Sequence, residues 1–228
     1  VFIIEVGGSF DLFAEHLKRH DISVHRVTLN ANTDVSLPPF ADALKLRASH
    51  SALAALKTDA DDDADEGDDS RDILGEMEIA ARIMITGGDT KEDARMTRAD
   101  RLLIRNGIYR AAQTVRSSSR GQVLSEDVVH ALRLISMESD LPQERRHRAL
   151  EMADAMALFC SGLAGHFFNR PGRRWPLVDV TVLDMGLLAR EGYEDQLIVA
   201  YLSIMSHINA LVEAQQHEQR PTLVVTDE

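Results

Sequence analysis

The stretch RPTLVVTDE (Arg220–Glu228) decides how the rest is read. A proline precedes four apolar or β-branched residues, a threonine follows, and then two acids stand side by side. Pro221 fits the start of a strand and not its middle. The run Leu223–Val225 is too short and too branched for a helix, so the spacing predicts a buried strand. A strand buried on both faces belongs to a parallel sheet, and its last side chains leave at the carboxyl edge, where open α/β folds bind ligands. Asp227 and Glu228 are therefore placed at a ligand-binding edge. An acid at the end of a strand also commonly begins the next loop or caps the next helix, and from this stretch alone both readings stand.

The opposite end of the sequence has the same character. VFIIEV (Val1–Val6) reads as a second buried strand. SFDLFAEHLKRH (Ser9–His20) carries Phe10, Phe13, Ala14 and Leu17 at helical spacing behind an N-cap at Ser9. SVHRVTL (Ser23–Leu29) is a third strand, so the β-α-β order predicts a parallel sheet. LPPF (Leu37–Phe40) breaks the chain and opens a helix expected to run to about Leu56. LVDVTVLDMG (Leu177–Gly186) is another strand with a glycine stop, and a long helix is expected from about Tyr193 to His217.

Between these α/β parts the period changes to 3.6. Four helices are expected in ILGEMEIAARIMI, TRADRLLIRNGIYRAAQTVRSS, SEDVVHALRLISM and LPQERRHRALEMADAMALFCSGLAG. Thr97 and Asp100 have capping-box spacing, Ser125 is an N-cap followed by two acids, and Pro142 lies in a first turn. The expected organisation is a first part of an α/β core (1–56), an acidic linker (57–72), an all-helical insertion (73–168) and a second part of the core (169–228).

Composition sets the outer bounds. Of 228 residues, 44% are apolar and 27% charged, enough for a sizeable core, while 5% aromatics make that core aliphatic and methionine-rich. The net charge of -12 argues against a protein wrapped broadly around nucleic acid. Most of that excess lies in DADDDADEGDD (Asp59–Asp69), a run that cannot bury surface and reads as a solvated linker. The single Cys160 permits no internal disulfide and fits a reducing compartment. QLIVAYLSIMSHINALV (Gln196–Val212) is interrupted by Ser203, Ser206, His207 and Asn209 and reads as a core helix.

An apolar strand ending in Asp-Glu resembles the Walker B element of P-loop ATPases. The order of segments across essentially the whole chain resembles that of TraC-type conjugative-transfer ATPases of type IV secretion, from plasmids and integrating conjugative elements. The likeness lies in the stretch from LPQERRHRAL to LVVTDE, and in VFIIEVGGSFDLFAEHL followed by a strand and LPPFADAL. That family implies a RecA-like core interrupted by a helical insertion, ATP and Mg²⁺ as cofactors, and a ring oligomer such as a hexamer. It implies a bacterial cytoplasmic location, peripheral at the inner membrane beside other secretion components, with a transferred DNA–protein complex as a possible substrate. The resemblance makes Asp227 the acid that holds Mg²⁺ through water, Glu228 the catalytic glutamate that orients or deprotonates the attacking water, and the LDMG end (Leu183–Gly186) a neighbouring core strand.

One departure is plain. No G-x-x-x-x-G-K-[ST] occurs anywhere. EVGGSF has no lysine, and TGGDTKED (Thr86–Asp93) has its glycines and Lys91 in the wrong order. The amides and lysine that hold phosphates are missing, so the chain is expected to be a fragment that binds nucleotide poorly alone. A non-catalytic interaction module, docking a secretion partner through the helical insertion, stands as the alternative. A helicase-like or transporter ATPase shares the same acids. Glu5 at a strand end could approach the nucleotide, and Arg145–Arg148 and Arg170–Trp175, beside Phe167 and Phe168, could stack on single-stranded bases; an ordinary loop-facing or surface role is the better account of each.

Overall fold

A computed structural model describes residues 1–46, 71–173, 175–215 and 221–227. The acidic run, the expected helix beyond Leu46, and Glu228 lie outside the described residues.

Four strands form one parallel sheet: β1 (Phe2–Glu5), β2 (Val24–Thr28), β3 (Val180–Asp184) and β4 (Val224–Thr226), in the order β2-β3-β1-β4. The first two strands do not touch each other; β3 lies between them, pairing Glu5 and Thr28 with Asp184 on its two sides. Alternation of side chains along β1 divides the core. Ile3 faces Ala14, Val180 and Val182 under helix α1 (Asp11–Lys18). Ile4 faces Val27, Leu29 and Leu183, in the core shared with the helices.

The helices of the middle segment are α2 (Ile73–Thr86), α3 (Thr90–Arg95), α4 (Arg98–Ser117), α5 (Ser125–Ser136), α6 (Gln143–Ala157) and α7 (Gly162–Phe168); α8 (Glu194–Gln215) precedes β4. Their ends follow capping chemistry. The Asp72 carboxylate accepts from Gly75 N at 2.8 Å, and Thr97 and Asp100 exchange side-chain and backbone bonds of 2.9 and 3.2 Å. Helix α5 packs between α4 and α6, and α8 lies along α2. By length and composition α8 could cross a membrane; it seats Val199, Ala200, Ile204 and Ile208 in the core.

Several expectations are corrected. Among the described residues after Pro39 the chain makes a 3₁₀ turn, Ala41–Lys45, and no α-helix, as Leu46 turns to an extended conformation. TGGDTKED yields the extra short helix α3, capped by Asp89. The expected helix from Pro142 to Gly165 breaks at Ser161, which is extended. Its continuation folds back so closely that a Cβ on Gly165 would lie 2.6 Å from the Cys160 carbonyl. Ser125 is the first residue of α5 and not its cap; its buried hydroxyl donates to Phe168 O at 2.9 Å. Strand β4 is not buried on both faces. It stands at an edge of the described sheet, half-buried at Val224 and Val225 and exposed at Thr226.

Candidate functional site

Parallel strands bring their carboxyl ends to one edge. There the sheet carries Thr28, Asp184 and Glu5 in register, with Asp227 one residue beyond β4. Asp227 is fixed by its backbone, whose N–H donates to Ile4 O at 2.9 Å. Its carboxylate is exposed.

Glu5 is its opposite in environment, with 0% of its surface exposed. Its Oε2 accepts from Ser9 Oγ at 2.8 Å and from Phe10 N at 3.0 Å. Its Oε1 is buried without a hydrogen-bond partner among the described residues. The same Ser9 Oγ lies 3.0 Å from Asp227 Oδ2, so one hydroxyl stands between the two carboxylates.

The loop that makes this possible is Gly7–Gly8. Both glycines have positive φ, 95° and 76°, a region that residues with a Cβ rarely occupy. Two such residues in succession turn the chain back so that Ser9 and Phe10 reach the carboxylate of Glu5. Asp184 secures the turn from β3: its Oδ1 accepts from Gly7 N at 3.2 Å and from Gly186 N at 2.8 Å. Ser9 is accordingly not the N-cap of α1. Phe10 holds that position, with no side-chain cap bond, and the Ser9 hydroxyl is spent on the two acids.

Sequence and structure thus place Asp227 at the same edge, and Glu5 joins it there. Ser9 and Asp184 were not singled out for this edge; the glycine pair before Ser9 and the acid closing the strand of Leu177–Gly186 are the signals that point to them. No group of three or more His, Cys, Asp or Glu side chains among the described residues is arranged to hold a metal ion. A single exposed carboxylate suits Mg²⁺ that keeps its waters and arrives with phosphate oxygens, and does not suit a resident protein cage.

Several arginines of the basic stretches are engaged elsewhere. Arg145 donates to Ala99 O at 2.6 Å, Arg148 pairs with Glu151 at 3.2 Å, and Arg173 pairs with Asp34 at 2.9 Å. Phe167 and Phe168 are fully buried, which removes them as platforms for bases. A cavity of about 420 Å³, lined in part by Leu37, Pro38, Trp175, Ser203 and His207, includes none of the strand-end acids. Burial there pushes the His207 imidazole below its usual range, and its ring lies 4.4 Å from that of Trp175.

No protein-family model matches the sequence, and no curated protein matches it. Among solved structures, the fold is similar to that of VirB4 of Thermoanaerobacter pseudethanolicus, with a TM-score of 0.61 at 9% identity. The similarity covers 100% of this chain and 52% of that one, so the chain spans about half the length of its structural neighbour.

Proposed function

We propose that the chain is part of an ATPase motor of type IV secretion, hydrolysing ATP to drive conjugative transfer or assembly of the secretion machine. The observation that carries this is the meeting of Asp227 and Glu5 at the carboxyl edge of an all-parallel sheet. The resemblance of the segment order to TraC-type ATPases and the likeness in fold to VirB4 support it.

On this reading residues 1–56 and 169–228 are the two parts of a RecA-like core, 57–72 a linker, and 73–168 an insertion. Asp227 would hold hydrated Mg²⁺ through water, and the ion, when bound, would supply neutralising charge for phosphoryl transfer. Glu228 orients or deprotonates the attacking water. The phosphate-binding amides and lysine come from outside the present sequence, and the working unit is a ring oligomer at the cytoplasmic face of the inner membrane, beside other secretion components.

The test is Mg²⁺-dependent ATP hydrolysis by the full-length protein. Glu228→Gln is expected to leave ATP binding intact and to lower turnover by about 10² or more. Undiminished turnover would remove Glu228 from the role.

A second reading, an interaction module that docks a secretion partner through its helices, is favoured by two observations. The sequence has no phosphate-binding loop. The helical segment also leaves Met137 and Leu158 about three-quarters exposed. Full-length protein that binds no nucleotide while retaining a secretion partner would select this reading.

A further inference from the structure

A serine hydroxyl carries one proton. Ser9 Oγ has two carboxylate oxygens within reach, Glu5 Oε2 at 2.8 Å and Asp227 Oδ2 at 3.0 Å, and it donates to one of them at a time. The two acceptors differ. Asp227 is exposed and open to a ligand. Glu5 is sealed from solvent, its Oε2 held by the Phe10 amide, and its Oε1 is buried with no hydrogen-bond partner among the described residues. A buried carboxylate left short of donors gains from any donor it receives.

We propose that Ser9 is a positioning residue that alternates between the two acids. With Asp227 free, the hydroxyl is shared between Oδ2 and the nearer Glu5 Oε2 and steadies the exposed carboxylate at the sheet edge. When a divalent cation occupies Asp227, the hydroxyl rotates to Glu5. Glu5 never touches the cation, yet it sets how strongly Asp227 holds it, because it receives the displaced hydrogen bond. This rests on the reading of Asp227 as the cation-binding acid, but the coupling is measurable without nucleotide or turnover.

The experiment is a titration of the full-length protein with Mn²⁺, followed by electron paramagnetic resonance, across a double-mutant cycle. Glu5→Gln keeps shape but offers a weaker acceptor to the displaced hydroxyl. It is expected to weaken Mn²⁺ binding about 3- to 10-fold, the difference between a hydrogen bond to a charged acceptor and one to a neutral acceptor. The same substitution in a Ser9→Ala background is expected to change binding less than about 2-fold, and Ser9→Thr, which restores a hydroxyl, to recover the sensitivity. Should Glu5→Gln fail to fold, Glu5→Asp keeps the charge but withdraws it from Ser9, with the same expected weakening. Equal effects of Glu5→Gln in both backgrounds, or none in either, would overturn the coupling. Mn²⁺ binding that survives Asp227→Asn would overturn the site and the coupling together. Turnover that ignores Glu228→Gln while the cycle stays non-additive would sink only the motor reading.

Discussion

At the scale of single residues, Gly165 is closed in by backbone. A methyl group there would stand 2.6 Å from the Cys160 carbonyl, which belongs to the backbone and cannot swing aside. Gly165→Ala is therefore expected to destabilise the fold by roughly 1–3 kcal/mol, as overpacking of a closed site does; a denaturant titration would read it as a lower midpoint. The placement of Asp227 at the sheet edge was legible because it follows from the position of the residue at the end of a strand. Ser9 was not. A serine ahead of helical spacing ordinarily caps, and only the approach of two carboxylates from other parts of the chain diverts its hydroxyl. Glu5 could be seen as a strand-end acid, but its burial beside Asp227 depends on a strand order that no local pattern encodes.

At the scale of elements, α2 is tied to α4 by an acid that solvent does not reach. Glu78 is 1% exposed and is gripped by Arg101 and Arg105, one turn apart on α4. Burial alone would raise its pKa, but the two guanidinium hydrogen bonds outweigh that and hold it below the usual carboxylate range. A depressed folded-state pKa stabilises the fold above the unfolded value, about 4.3, and this contribution disappears as pH falls through the lower folded value. Removing both arginines leaves a buried charge unpaired. Arg101→Ala with Arg105→Ala is expected to cost about 3–5 kcal/mol near neutral pH and progressively less in acid, as wild type itself loses the contribution; thermal melts at pH 7 and at successively lower pH test this. The helices themselves were readable from period and caps, as Thr97 and Asp100 illustrate. The break at Ser161 and the edge position of β4 were not, since both are set by what packs alongside.

At the scale of the whole molecule, one core joins the two kinds of structure. Ile4, Leu29 and Phe40 from the α/β part share it with Met84, Ile104 and Met152 from the helices. Calorimetry is accordingly expected to show a single cooperative transition, and separate melts for helices and sheet would contradict the shared core. Phe40, fully buried within that shared core, is the residue to truncate. Phe40→Ala is expected to cost about 3–5 kcal/mol and to lower the whole transition, not part of it. The α/β class and the change of regime in mid-chain were plain in the hydrophobic pattern. The sheet order was not, because β1 and β2 follow one another in sequence but are separated in space by a strand from the far end of the chain.

That order has a consequence for biosynthesis. Glu5 pairs with Asp184, about 180 residues downstream. At a ribosomal rate of about 5–20 residues per second, the first strand waits roughly 10–35 s after its own synthesis for its neighbour to be made. Throughout that interval Phe2, Ile3 and Ile4 lack the partner strand β3, while the helices between can complete their local bonds. An apolar strand left without its neighbour for that long is where a chaperone would be expected to hold the nascent chain.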